Sequence, residues 1–345
     1  MKPIYTRKSE IDILKCICSF AIVIIHTPFE GIVGTLLRTF SRVAVPIFFM
    51  ISGYYYSPDS IRVHKQIKKI VCVIIFSHLF YSLFDILMNH IAHVNLYMFS
   101  KNEPFIKIIS QIIIFNVSPA YTHLWYILAY LYILILLKRI DLRQISSMSL
   151  MITSILLLFG NLLLGKYSYY IFRRSFESYI SRNFLFTGIP FYLLGYLISR
   201  KNGNIPIKSK TEARSLMLIF LILYIIEKKA LSLVGESNTG DIYIMSIVLA
   251  ITIFLYALYI NDSTTKNNIK RLIANIGNDY ALLIYIMHPA IIQLMKVILG
   301  LEKCTNMKLL FSILVYVLTL LLAVIMKLAW RTVTTSVIFN RTRSD

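Results

Sequence analysis

Apolar stretches recur along almost the whole chain, and short segments carrying most of the charged residues separate them. A membrane-spanning helix needs about 20 predominantly apolar residues. Ten stretches close to that length can be drawn, at approximately 11–28, 41–57, 69–90, 123–138, 147–164, 183–199, 214–227, 241–260, 279–299 and 308–330. The pattern predicts an all-α, polytopic membrane protein with about ten transmembrane helices.

One apolar segment, 104–116, is too short to cross a bilayer comfortably. Three interpretations are open: it lies in the membrane interface, it re-enters the membrane, or it belongs to the following span. The chain shows no internal repeat and no polar stretch long enough for a soluble domain. We therefore predict a single integral-membrane domain over residues 1–345.

The composition agrees with a membrane protein, since 57% of the residues are hydrophobic and 15% are charged. A soluble domain carries about 25% charged residues. The net charge of +20 alone would fit a nucleic-acid-binding protein, but the basic residues alternate with the predicted spans. Such interleaving is typical of the cytoplasmic loops that orient membrane proteins, so we predict no nucleic-acid partner.

The basic residues also predict the orientation. With ten spans both termini lie on one side, and the loops of that side hold most of the Lys and Arg. Both termini are therefore expected in the cytoplasm, with the chain in the inner membrane among its lipids. The loop 165–182 departs from the rule, because it is basic yet predicted external. Either its boundary is misdrawn or it presents a surface for an anionic partner.

The first span contains three ionisable residues, Asp12, Lys15 and His26. Such residues are costly inside a bilayer and usually face a partner or a wet cavity. Lys15 and His26 are eleven residues apart, close to three helical turns, so they lie on one stripe about 16 Å apart along the axis. Asp12 precedes Lys15 by three residues and joins the same face.

The second span opens with Arg42-Val-Ala-Val-Pro46 and continues through Ser52-Gly53-Tyr54. Pro46 lacks a backbone donor and is expected to loosen the helix. Ser52 and Gly53 are small enough to permit close helix contact. The four cysteines and seven histidines follow no metal-binding spacing, so no metal is predicted.

The Lys15-x10-His26 spacing and the Arg42–Tyr54 string together resemble the acyltransferase-3 family of integral-membrane acyltransferases. Further fragments follow in the family's order. They are the basic cluster Lys65, Lys68 and Lys69, the run His123-Leu124-Trp125-Tyr126, the pattern Pro190-Phe191-Tyr192-x-x-Gly195-Tyr196, and Gly277 through Tyr285 to His288-Pro289. The resemblance covers essentially the whole chain.

The resemblance implies transfer of an acetyl or other short acyl group from cytoplasmic acyl-CoA, such as acetyl-CoA, to a hydroxyl of an envelope glycan or related acceptor. His26 would be the general base, because an imidazole titrates near working pH. Arg42 would stabilise negative charge on the acyl oxygen or pair with an acidic group. The remaining roles are donor binding by Lys15, Lys65, Lys68 and Lys69, and substrate binding by Ser52, Tyr54, His123, Trp125 and His288.

Each of these residues also has a structural interpretation, as an interfacial, snorkelling or packing side chain. Lys15 stands where the family has an arginine, and lysine lacks the planar fork that binds phosphate or carboxylate in pairs.

Two alternatives remain open. The membrane domain of vancomycin-resistance serine racemases resembles the same family, particularly in its Arg-Val-Ala-Val-Pro string, which suggests a non-enzymatic membrane subunit that supplies serine. Since no racemase domain follows Arg343 in this sequence, that function would need a separate racemase as partner. The other alternative is a degenerate, purely structural relative, suggested by the lysine replacements.

Overall fold

The structure is a computed structural model that describes residues 8–92, 104–118, 121–201, 209–235, 239–260 and 268–341. Every regular element among these residues is helical, so the all-α prediction is confirmed for the described chain. The predicted cytoplasmic location of both termini stays a prediction, since the helices by themselves do not assign a side of the membrane.

The first half of the chain forms α1 (Ser9–His26), α2 (Ile32–Ser41), α3 (Ala44–Tyr54), α4 (Ser60–Ala92), α5 (Phe105–Phe115), α6 (Trp125–Leu137) and α7 (Ser147–Leu164). The second half forms α8 (Ser168–Phe172), α9 (Ser178–Ser181), α10 (Ile189–Arg200), α11 (Lys210–Val234), α12 (Ile244–Tyr259), α13 (Asn268–Asp279), α14 (Ala281–Leu299), α15 (Leu301–Asn306) and α16 (Leu309–Arg341). Two 3-10 turns, Thr122–Leu124 and Leu142–Gln144, and a π-helix, Phe184–Gly188, complete the set.

Within the described ranges, five stretches are long and apolar enough to cross a membrane. They are Ile32–Tyr54, Ser60–Ala92, Ser147–Leu164, Ala281–Leu299 and Leu309–Ala329. Shorter apolar helices lie at 106–115, 122–137, 184–200 and 244–259. A multi-pass membrane protein is thus supported, whereas the full count of ten spans stays a prediction.

Apolar stripes on the outside of several helices agree with contact to lipid. Leu79, Leu83 and Ile86 lie on one face of α4 and are each more than half exposed. Leu321 and Ile325 form a similar stripe on α16. In water, large contiguous apolar surfaces of this kind would favour association, but in a bilayer they face hydrocarbon.

The contacts divide the chain into two compact units, residues 1–11 with 42–263, and residues 12–41 with 264–345. The larger unit depends on close contact between α3 and α10. A Cβ atom at Gly53 would lie 1.9 Å from the carbonyl oxygen of Tyr192, and one at Gly195 would lie 2.0 Å from that of Met50. The close helix contact expected at Gly53 is therefore present, and each helix supplies one glycine to it.

Three buried asparagines shape the same unit around the π-helix. Asn116 ends α5 in the left-handed conformation, donates to the carbonyl of Trp125 and accepts from the amide of Phe184. Asn183 accepts from the first free amides of the π-helix, and Asn161 on α7 donates to the hydroxyl of Thr187. These bonds satisfy backbone groups that would otherwise be left unpaired at the irregular turn.

The smaller unit packs α1 against α14 and α16. Its core contains Val23, Ile284 and Val315, all fully buried. The hydroxyl groups of Ser19 and Tyr316 lie 3.1 Å apart, within hydrogen-bond distance. On α13, a Cβ at Gly277 would lie 1.8 Å from the carbonyl oxygen of Asp12, so this helix also makes backbone contact with α1.

Two local expectations are corrected. Pro46 does not loosen a helix interior, because α3 begins at Ala44 and Pro46 lies in the first turn, where its missing donor breaks no helical bond. Segment 104–116 does not continue into the following span, because Asn116 adopts φ 49° and ends α5 well before α6. Helix α7 ends at Leu164, where the span was drawn to end. The side of the membrane on which the basic loop 165–182 lies stays a prediction.

Candidate active site

Two histidines from distant parts of the chain meet in the smaller unit. His26 is the last residue of α1 and is exposed, whereas His288 in the middle of α14 is fully buried. Their ring centroids lie 4.9 Å apart. The exposed imidazole of His26 is accessible to a substrate. The buried imidazole of His288 packs against it and restricts its position.

The end of α1 is fixed just after His26. The Thr27 hydroxyl donates to the carbonyl of Val23 at 2.8 Å and lies 2.7 Å from the hydroxyl of Ser312 on α16. Thr27 is 4% exposed, and Val23 belongs to the apolar core of this unit. The backbone that carries His26 is therefore held by a buried hydrogen-bond pair and by packing.

The position of His288 follows from its helix. Its Nδ1 lies 3.1 Å from the carbonyl oxygen of Ile284, one turn earlier. Pro289 follows within α14 and has no amide hydrogen, so the carbonyl of Tyr285 loses its usual helical donor. The ring of Tyr285 lies 6.3 Å from that of His288. The His288 ring is thus positioned by a contact with its own helix.

Lys15 and Asp12 form an ion pair near the start of α1, with 2.9 Å between Nζ and Oδ1. The Asp12 side chain is 3% exposed and that of Lys15 is 23% exposed. This geometry agrees with the structural interpretation of Lys15, although an ion-paired ammonium keeps donors for other acceptors.

Arg42 lies just before α3 in the larger unit, and Asp241 is its partner. The Arg42 Nη1 donates to Oδ1 of this carboxylate, and Arg182 Nη1 lies 3.5 Å from Oδ2. Desolvation raises the pKa of Asp241, but the positive charges of Arg42, Arg182 and Lys166 outweigh it, so the pKa lies below its usual range. Two guanidinium groups therefore share one ionised carboxylate.

The segment before α12 places Asp241 between the arginines. Gly240 adopts φ +81°, and a Cβ there would lie 2.8 Å from the backbone of Gly165 and Lys166. The Thr239 hydroxyl donates to the carbonyl of Phe176. The basic loop 165–182 is thus packed against the segment that carries the carboxylate, and glycine at 240 is required for this approach.

The other predicted substrate residues of α3 are engaged within the larger unit. The Ser52 hydroxyl donates to the carbonyl of Phe48, one turn earlier. Tyr54 is 7% exposed, and its ring packs edge-on against that of Phe254 at 5.7 Å. Lys8 Nζ lies 5.6 Å from the same ring. Tyr54 therefore has the surroundings of a packing residue.

His123 and Trp125 lie at the start of α6 among aromatic side chains. His123 Nε2 is 3.5 Å from the hydroxyl of Tyr81, whose ring packs at a tilt against that of Tyr121 with 4.0 Å between centroids. Tyr121 donates to Asp85 at 3.2 Å. Trp125 instead carries the Arg182 guanidinium over its ring at 5.8 Å. The two predicted residues therefore belong to adjacent but different side-chain clusters.

Lys65, Lys68 and Lys69 occupy one face of α4 near its start, and all three are exposed. Their spacing of three and four residues brings the ammonium groups together, which suits phosphate oxygens. A cavity of about 140 Å³ opens nearby in the chain, lined by Tyr56, Ser60 and Lys138 among others. Pockets for drug-sized ligands measure roughly 300–1,000 Å³, so this cavity is too small for a whole acyl-CoA.

Several residues of the charge and hydrogen-bond clusters were not predicted from the sequence. Asp241 and Arg182 stand in loops with no motif around them, and Asp241 is 199 residues from the arginine that it binds. Asp85 gave a usable signal, since a carboxylate within an otherwise apolar span is rare and usually has a partner.

Comparison with known proteins places these residues in a family. The sequence model of an acyltransferase domain, acyltransferase 3, matches residues 8–328 and so includes every site residue described above. An amino-acid racemase of Enterococcus faecalis is 26% identical over 353 aligned residues, which cover 92% of this chain and 45% of the racemase. The chain thus spans less than half of the length of this curated relative. No solved structure matches the chain.

Proposed function

Because the chain belongs to the acyltransferase 3 family, whose members are membrane acyltransferases, we propose that it moves an acetyl or other short acyl group from cytoplasmic acyl-CoA to a hydroxyl of an envelope glycan or related acceptor. The contact between the exposed His26 and the buried His288, 4.9 Å apart, is the observation that carries this proposal. The site of action is the inner membrane.

His26 acts as the general base. It removes the proton of the acceptor hydroxyl as that oxygen attacks the thioester carbonyl, and a positioned base of this kind contributes about 10²–10⁴-fold. The C–O bond of the new ester forms, the C–S bond breaks, and the proton passes to the departing thiolate. His288 holds the imidazole of His26 in place from the buried side, which limits the orientations that the exposed ring samples.

The cations divide between acceptor chemistry and donor binding. In the larger unit Arg42 offers a guanidinium whose orientation is fixed by its bond to Asp241, and we assign it to the acceptor side of the reaction. The exposed ammonium groups of Lys65, Lys68 and Lys69 attract the phosphates of acetyl-CoA. Lys15 adds a donor-side charge while it stays paired with Asp12.

Mass analysis of the envelope glycans tests the proposal. Cells that lack the gene lose one acyl mass increment, and the wild-type gene restores it. His26→Gln keeps the size and hydrogen bonding of the side chain but cannot exchange a proton at neutral pH, so it should not restore the increment. The matched control is His90→Gln, which alters an exposed histidine at the end of α4. Full restoration by His26→Gln would rule out this residue as the base.

The curated relative favours a second candidate, supply of serine to a separate racemase, because that relative is named an amino-acid racemase. Uptake of labelled L-serine by proteoliposomes that contain the purified protein separates the two functions. Saturable uptake without any acyl transfer would support the second candidate. Acyl transfer without uptake supports the first, and absence of both would fit a structural relative.

A further inference from the structure

A basic cluster in the larger unit joins three segments that are far apart in the sequence. Arg42 precedes α3, Arg182 follows α9, and Asp241 precedes α12. Lys166 in the same basic loop is 6% exposed, and its Nζ lies 5.5 Å from the centroid of the Tyr243 ring. A folded loop that buries a lysine beside two arginines concentrates positive charge at one place.

The two guanidinium groups are not equally satisfied. Arg42 donates directly to Asp241, whereas Arg182 approaches the same carboxylate only to 3.5 Å and a serine hydroxyl, that of Ser178, to 3.4 Å. A guanidinium has five hydrogens to donate and favours bidentate bonds to one oxyanion. Arg182 therefore keeps donor capacity that Asp241 does not use.

The cluster is also accessible. The side chains of Arg42, Arg182 and Asp241 are 25%, 30% and 41% exposed. Trp125 lies beneath Arg182, whose guanidinium is 5.8 Å from the centroid of the ring. An anion that binds this guanidinium would therefore lie close to the Trp125 ring.

We propose that Arg182, next to the Arg42–Asp241 pair, binds one oxyanion, a carboxylate or phosphate, on the acyl acceptor, so that the preferred acceptor is an anionic sugar rather than a neutral one. The proposal rests on the acyltransferase function above and names the class of its acceptor. Arg182 leaves its long contact with Asp241 to donate to the ligand, while Arg42 stays on the carboxylate. The basic loop 165–182 then serves recognition of the acceptor and not orientation in the membrane.

Fluorescence of Trp125 tests binding directly. The sequence has two tryptophans, so Trp330→Phe leaves Trp125, next to Arg182, as the only one. The full-length protein is purified in a maltoside detergent, which contains no phosphate, and is titrated with glucuronate, glucose 1-phosphate or glucose at constant ionic strength. A saturable change with both anionic sugars and none with glucose is expected. No acyl donor is present, so the result is independent of whether transfer occurs.

Variants separate recognition from folding. Arg182→Gln should weaken binding of the anionic sugars at least about tenfold, since a charge-assisted bidentate contact is lost. Arg182→Lys keeps the charge but lacks the planar guanidinium, so its affinity for the anionic sugars should lie between those of the parent protein and Arg182→Gln. The matched control is Arg174→Gln in the same loop, where the guanidinium lies over the ring of Phe176 at 5.5 Å, and it should bind as the parent does.

Three results would overturn the proposal. One is an equal response to glucose and to the anionic sugars. Another is unchanged binding in Arg182→Gln with the protein still folded by gel filtration. The third is a response only to mixed micelles with phosphatidylglycerol and none to soluble sugars, which would assign the site to a lipid headgroup.

Discussion

Because Asp12 is more deeply buried than Lys15 in their ion pair, the two single substitutions should reduce the stability of the protein by different amounts. Lys15→Met keeps the length of the side chain but leaves the Asp12 carboxylate, 3% exposed, without its ammonium partner. Removing one member of a buried pair costs about 3–5 kcal/mol, since the remaining charge is uncompensated. Asp12→Asn instead leaves Lys15, which is 23% exposed and has a long stem.

The ammonium of Lys15 can reach the membrane interface by snorkelling. Asp12→Asn should therefore reduce the free energy of unfolding by roughly 1–3 kcal/mol, which is less than the loss from Lys15→Met. The double variant carries neither charge, and it should recover most of the loss. Recovery is not expected from movement of the backbone, because the carbonyl of Asp12 is in close contact with Gly277.

The assay is thermal stability of the purified protein in detergent together with its abundance in the membrane. Acyl transfer is measured on the same samples. If Lys15 binds the donor, the double variant recovers stability but keeps a raised Michaelis constant for acyl-CoA, and Lys15→Arg preserves or lowers that constant. Recovery of both stability and transfer in the double variant would show that the charge is structural. Equal losses from the two single changes would contradict the reasoning from exposure.

Three further predictions follow from other contacts. The pKa of Asp241 is lowered in the folded protein, so its stabilisation is present above about pH 4 and is lost as the pH falls through the lowered pKa. The melting temperature of Asp241→Asn should therefore be below that of wild type at neutral pH, and the difference should shrink as the pH falls below about 4. A difference that stays constant with pH would refute this. Gly195→Ala should reduce the free energy of unfolding by about 3 kcal/mol or more and lower the abundance in the membrane, because the new Cβ meets the backbone of Met50. In Gly160→Ala the Cβ meets only the movable ring of Phe186, so the loss should be smaller. Equal abundance of the two variants would argue against the backbone contact. The distribution of basic residues predicts that a topology reporter fused after Asp345 or placed in the 200–214 loop is cytoplasmic. A reporter at Asn102, outside the described residues, should be external. An external 200–214 loop would overturn the span assignment.

Much of the architecture was predictable because it depends on local composition. Apolar length predicted helices that the structure shows near each drawn range, and small residues predicted the contact at Gly53. The side-chain pairs were not predictable, since they join distant positions through packing that no local pattern encodes. The partner of Arg42 lies 199 residues away, and His288 meets His26 only because α1 and α14 share a core around Val23 and Ile284.

The π-helix at Phe184–Gly188 has a consequence for insertions and deletions. A π-turn holds one residue more than an α-turn, and Asn183 and Asn161 accommodate the surplus by side-chain hydrogen bonds. Each residue of an α-helix turns the chain by about 100°. Loss of one residue here would let α10 begin as a regular helix and would rotate the preceding chain, with Arg182, away from Asp241. The orientation of Arg182 towards Asp241 thus depends on the one extra residue of the π-helix. Deletion of a single codon in this segment would change that orientation without any substitution in the charge cluster itself.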